Sequence, residues 1–146
     1  MTIIVIDDSP ATLALLTRLA SGSEEVVAFT DALAARAHLA GHAAHAIVVD
    51  YSMPGMTGIE LARAVRADPL HVATPIVMVT SAYGPEIRAQ ANAAGVTYLL
   101  SKPFSPPILK GLLQKILDPA APEDAFDPAA AVAPRGYRAL SAPFRP

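Results

Sequence analysis

The chain has 146 residues, enough for one domain with a full core and too few for two comfortable ones. Its formal net charge is -2, its Lys and Arg residues form no run, and it has no cysteine. That excludes disulfides, thiolate chemistry and Cys-based zinc sites, and it leaves no basic footprint for a nucleic-acid backbone.

In chain order, "MTIIVIDDSP" opens on an apolar run too short for a signal peptide or a membrane span and without a basic leader, so the expected setting is the cytoplasm. The expected strand is Thr2–Ile6, followed by Asp7 and Asp8. Ser9 then reads as a helix N-cap with Pro10 at the first helical position, and Gly22 stands near the helix end. A second strand is expected over Glu25–Phe29, then a helix that Gly41 ends between His38 and His42. With His45 these histidines invite a metal reading, but no carboxylate or thiol completes a ligand set. The third strand, Ala46–Val49, runs into Asp50 and a Pro54–Gly55 turn. Thr57 and Glu60 fit a capping box, and Met53 and Met56 read as packing. His71, in "ADPLHVATP", reads as an exposed loop residue.

The fourth strand is expected over Pro75–Val79, followed by Thr80. Gly84 and Pro85 then open a helix poor in large apolar residues, closed by Gly95. Val96–Leu100 is the fifth strand, and Lys102 follows it. Ser105 and Pro106 start a last helix whose Ile108, Leu109, Leu112, Leu113, Ile116 and Leu117 recur at helical spacing. Five strands alternating with five helices point to an α/β, doubly wound parallel sheet with helices on both faces over residues 1–117. Residues 118–146 are rich in Ala and Pro without a period, and read as a poorly ordered tail or linker.

In an open parallel sheet, ligands bind outside the carboxyl ends of the strands. Asp7, Asp8, Asp50, Thr80 and Lys102 all fall there. Two carboxylates about 4 Å apart repel by roughly 4 kcal/mol at an effective dielectric of 20, so three of them call for more cation than one lysine supplies. An all-oxygen donor set suits Mg²⁺, or Mn²⁺ in its place, together with phosphate oxygens. With a phosphoryl group added, Lys102 neutralises its oxygens, the Thr80 hydroxyl bonds one of them, and Asp50 is placed as a nucleophile.

"VIDDSP", "VVDYSMPGMTG", "VMVTSA" and "LLSKPF", in that order, resemble the response-regulator receiver domain of bacterial two-component systems, of the chemotaxis-regulator type. The resemblance implies a flavodoxin-like five-stranded parallel sheet of order 2-1-3-4-5. It implies that Asp50 is the phosphoacceptor for a sensor histidine kinase or a histidine phosphotransfer protein, with Thr80 as switch hydroxyl and Lys102 as phosphate-pairing lysine. Asp8 would then hold Mg²⁺ directly, Asp7 through water, and Ser52 through its backbone carbonyl, and the Lys102–Pro103 bond would be cis. Output would pass through the fourth-helix, fifth-strand, fifth-helix face, to a partner or a second copy. Ser52 and Ala82 would line the approach of water to the phosphoryl group. One position departs from the family: Leu99 stands where receivers carry Tyr or Phe, and Tyr98, one residue earlier, points to the opposite sheet face.

Two other readings compete. A phosphohydrolase with an Asp nucleophile would need a general acid nearby, commonly an Asp two residues later, where this chain has Ser52. An unphosphorylated pseudo-receiver scaffold would not need the complete set of polar groups that the strand ends carry.

Overall fold

In the computed structural model, which describes residues 2–20, 22, 25–82, 84–102, 104, 106–118 and 137–139, the apolar runs form five parallel strands. These are β1 (Thr2–Ile6), β2 (Glu25–Phe29), β3 (Ala46–Asp50), β4 (Ile76–Thr80) and β5 (Tyr98–Ser101). They alternate with α1 (Pro10–Ala20), α2 (Ala32–Leu39), α3 (Gly58–Ala67), α4 (Pro85–Ala93) and α5 (Pro106–Leu117). The strand order is 2-1-3-4-5 with all pairs parallel, as a doubly wound sheet requires. β3 extends one residue beyond the expected range to include Asp50, and β4 likewise includes Thr80.

Strand side chains alternate between two cores. Ile3, Val5, Val48, Val77, Val79 and Leu100 pack against Leu13 and Leu16 of α1 and Leu109, Leu112 and Leu113 of α5. Ile4, Ile6, Ile47, Val49, Met78 and Leu99 face Leu39 of α2, Leu61 and Val65 of α3 and Ala91 of α4. Because every residue of β3 and β4 is buried, both strands are apolar on both faces up to their terminal Asp50 and Thr80. Met53 and Met56 join the second core. Ala91 is the one buried residue of α4, consistent with a helix whose one large apolar side chain is Ile87.

The caps read from sequence hold α1 and α3. Ser9 Oγ accepts from Thr12 N–H at 3.4 Å, and Thr57 Oγ1 accepts from Glu60 N–H at 3.2 Å. Gly95 closes α4 with φ 86°, in the left-handed region that glycine favours. α2 ends at Leu39, between the two histidines, on Ala40 in a right-handed conformation, so Gly41 is not its left-handed cap. The His38 and His42 rings stack 4.1 Å apart, and His42 Nδ1 contacts the His38 carbonyl at 2.8 Å. The Ser105 cap and the Lys102–Pro103 bond lie outside the described residues.

A short sixth strand, β6 (Tyr137–Ala139), extends the five-stranded parallel sheet by pairing antiparallel with β5. One expectation is corrected: His71 is buried, not exposed. A 3₁₀ turn over Pro69–His71 carries the ring inward, where Nε2 contacts the Leu39 carbonyl at 2.6 Å and Nδ1 contacts Thr74 Oγ1 at 3.3 Å.

Arg66, half-buried at the end of α3, ties three segments together. Its Nε donates to the Gly95 carbonyl at 2.9 Å, Nη1 to the His71 carbonyl at 2.7 Å, and Nη2 to Thr97 Oγ1 at 3.4 Å. Burial pushes its pKa down, yet an arginine stays charged at any ordinary pH. Replacing it with Met removes these bonds and takes its guanidinium donor from the half-buried Gly95 carbonyl, and Arg66→Met is expected to lower unfolding free energy by about 2–3 kcal/mol in urea at pH 7 with an unchanged denaturant slope.

Candidate functional site

Asp7 follows β1, Asp50 ends β3, Thr80 ends β4 and Lys102 follows β5, so parallel strands in register deliver all four to one rim. The rim lies beside the point where the strand order reverses around β1. Backbone bonds fix it: Asp7 N–H donates to the Phe29 carbonyl, Tyr51 N–H to Val79 and Lys102 N–H to Thr80.

Lys102 Nζ lies 3.0 Å from Asp50 Oδ1 and 3.6 Å from Asp7 Oδ2. Asp7 is fully buried, and its two oxygens differ. Oδ1 accepts from Ser9 N–H at 2.9 Å, which also anchors the start of α1. Among the described residues, Oδ2 has no hydrogen-bond partner. Burial raises the Asp7 pKa above the ordinary aspartate range; the Ser9 N–H opposes the shift, the Asp50 charge adds to it, and Lys102 opposes it in turn. Thr80, also buried, has its Oγ1 accept from Ala82 N–H at 2.9 Å, which leaves the hydroxyl hydrogen available to donate elsewhere.

One ligand oxygen from each of Asp7, Asp8 and Asp50 lies within 4.8 Å of the others. Asp8 is exposed at the mouth of this cluster, and Asp7 and Asp50 are buried beneath it. Ser52, exposed, follows Asp50 in the turn. A divalent cation fits this set on two grounds: the donors are all hard oxygens, and Asp7 Oδ2 is a buried charge-bearing atom without a donor.

Sequence reasoning missed one residue that shapes the site. A Cβ at Gly58 would sit 2.6 Å from the Asp50 carbonyl oxygen and 3.1 Å from Tyr51 Cα. The start of α3 thus closes directly on the backbone that carries Asp50, and Gly58 N–H donates to the Tyr51 carbonyl at 2.8 Å. The available signal was a glycine immediately after the capping Thr57, a position where helices rarely need one.

Leu99 and Tyr98 occupy opposite faces. Leu99 is fully buried with the α2–α4 core, whereas half-buried Tyr98 packs on the α1–α5 side, where burial raises its pKa.

Residues 3–114 match the family model for the response regulator receiver domain. The chain belongs to this family. It is 43% identical over 72 residues to the chemotaxis protein CheY of Pseudomonas aeruginosa, a match covering 49% of this chain and 58% of that protein's length. Among solved structures, the chemotaxis response regulator CheY4 of Vibrio cholerae superposes with a TM-score of 0.74 at 32% identity, covering 80% of this chain and 98% of that one. The receiver domain of the sensor histidine kinase PA1611 of Pseudomonas aeruginosa PAO1, with a magnesium ion coordinated in its active-site cleft, gives a TM-score of 0.69 at 25% identity, covering 80% of this chain and 96% of that one.

The unpartnered Asp7 oxygen makes the stability of the metal-free chain depend on pH. Because folding raises the Asp7 pKa, its stabilising contribution is present at low pH and is lost as pH rises through the folded value. In excess chelator, Asp7→Asn is therefore expected to be more stable than wild type by about 1 kcal/mol at neutral pH. The gap should close as pH falls toward about 4, measured by urea unfolding across pH.

Proposed function

We propose that this receiver takes a phosphoryl group on Asp50 from a histidine-kinase or phosphotransfer-protein phosphohistidine, and that phosphorylation switches its binding to a partner. The observation that carries this reading is the rim itself: a carboxylate held 3.0 Å from Lys102 beside a second, buried carboxylate that lacks a donor.

In this reading Asp50 attacks phosphorus, the new carboxylate O–P bond forms as the histidine N–P bond breaks, and the departing imidazole takes up a proton. Lys102 leaves the Asp50 oxygen to pair with a phosphoryl oxygen, and Thr80 donates the hydrogen left free by its bond from Ala82. Asp8 directly, Asp7 through water, Asp50 and the Ser52 backbone carbonyl would hold Mg²⁺ or Mn²⁺. The ion, when bound, neutralises charge on the transferred oxygens. Such positioning and charge neutralisation are most of what phosphoryl transfer requires, and in this reading the chain is a phosphoacceptor and not a turnover enzyme. Ser52, where a phosphohydrolase of this kind would place an acid, is consistent with that.

Transmission rests on Thr80 and Lys102, which are joined through the Lys102 N–H bond to the Thr80 carbonyl, and on the lightly packed α4 next to Leu99. The family's rotamer-switching aromatic has no counterpart at Leu99. In this reading output passes through the α4–β5–α5 face, to a partner protein or a second copy in the bacterial cytoplasm, as expected of a receiver domain.

The test is exposure to acetyl phosphate with Mg²⁺, read by intact-protein mass. Wild type is expected to gain one phosphoryl group and Asp50→Asn none, while Lys102→Met and Thr80→Ala are expected to be slowed about 10- to 1000-fold. Equal labelling of Asp50→Asn would place the phosphoacceptor elsewhere.

A further inference from the structure

β5 closes the parallel sheet with Tyr98, Leu99, Leu100 and Ser101, a strand with no charge and no proline. Such a strand, left open, offers a row of unpaired N–H and C=O groups to any other chain. At the opposite edge, β2 carries Glu25 exposed at its start. The structure covers β5 with β6, antiparallel and in register: Tyr137 opposite Leu100, Arg138 opposite Leu99, Ala139 opposite Tyr98. The sequence around β6 has the features that protect a sheet edge, with Pro134 and Pro143 on either side and arginine at 135 and 138.

The connection to β6 runs through residues 119–136. At about 3.3 Å per residue it could extend to roughly 60 Å. Six strands spaced about 4.8 Å apart span less than half of that. A connection of that contour length does not by itself fix β6, and a strand of three residues meets the edge at an effective concentration in the millimolar range. That is enough to exclude a competitor at micromolar concentration, and little enough to be displaced.

We propose that residues 137–139 are a displaceable cap that closes the β5 edge within one chain, and that the strand excluded is β5 of a second copy. β6 shows that the edge accepts an antiparallel strand, which is the direction that β5 takes in a copy related by a twofold axis. Two uncharged copies of β5 meet without like-charge repulsion, and their pairing joins two sheets into one. The proposal rests on the strand pairing and not on phosphoryl transfer at Asp50.

The test uses the full chain carrying Tyr137→Pro and Arg138→Pro together. Neighbouring strand residues point their N–H groups alternately toward and away from the partner, so one of the two prolines removes a bond to β5 in either pleat. Hydrogen exchange at the alternate β5 amides that point away from β4, and mass by light scattering, are read over a range of concentrations. Wild type is expected to be monomeric with those amides protected. The variant is expected to lose that protection when dilute, while β1 and β3 amides are unchanged, and to form a dimer at higher concentration in which the protection returns. A synthetic peptide of residues 134–142 at millimolar concentration should return the variant to monomer. A variant with unchanged β5 exchange, or one that stays monomeric with β5 amides open, would overturn the proposal, as would a wild-type protein that dimerises equally well.

Discussion

Three carboxylates and one ammonium share the carboxyl-terminal rim of the sheet, and the imbalance among them governs the molecule. Lys102 reaches Asp50 at 3.0 Å and Asp7 only at 3.6 Å, so its charge is divided and Asp7 Oδ2 is left buried without a donor. A protein interior tolerates such a group only where something else completes it. The incompleteness is local: Asp7 Oδ1 is satisfied by Ser9, and Thr80 Oγ1 by Ala82, so the rim is held rigidly while one oxygen stays open. A site short of positive charge on a rigid frame is suited to a divalent cation and to an anion that arrives with it.

The frame follows from two apolar layers. Alternate residues of β1, β3, β4 and β5 feed the α1–α5 and the α2–α4 cores, which fixes strand register and hence the height of each strand end. Gly58 adds a constraint from the side, since α3 starts in van der Waals contact with the Asp50 and Tyr51 backbone and any side chain there would push against it. Arg66 performs a similar service at the far end of α3, bracing the turns that lead into β4 and β5. α4 is lightly packed against this frame, with Ala91 its one buried side chain.

Much of this was legible because the signals were strong and local. Runs buried on both faces announce themselves as uninterrupted Val and Ile, and Ser9 and Thr57 mark helix starts by the hydrogen bonds they can accept. Once the strands were parallel, their ends had to meet, and the site residues came with them. What escaped was set by distant partners. His71 is buried because a carbonyl 32 residues earlier receives its ring, and nothing in its own neighbourhood says so. Gly58 is explained by a close approach that exists only after folding. β6 has three residues, an arginine at its centre and no period; it pairs because β5 has an open edge, a property of the sheet rather than of β6. Leu99 was legible as a departure, and the structure places Tyr98 on the face that strand alternation requires.

The central claim, that the rim is short of one divalent cation, is tested most directly by calorimetric titration of Mg²⁺ into chelator-treated protein. Binding of one ion per chain is expected, weakened at least about tenfold in Asp8→Asn, which removes an exposed ligand without disturbing the core. No heat of binding up to millimolar Mg²⁺, or binding of equal strength in Asp8→Asn, would contradict it.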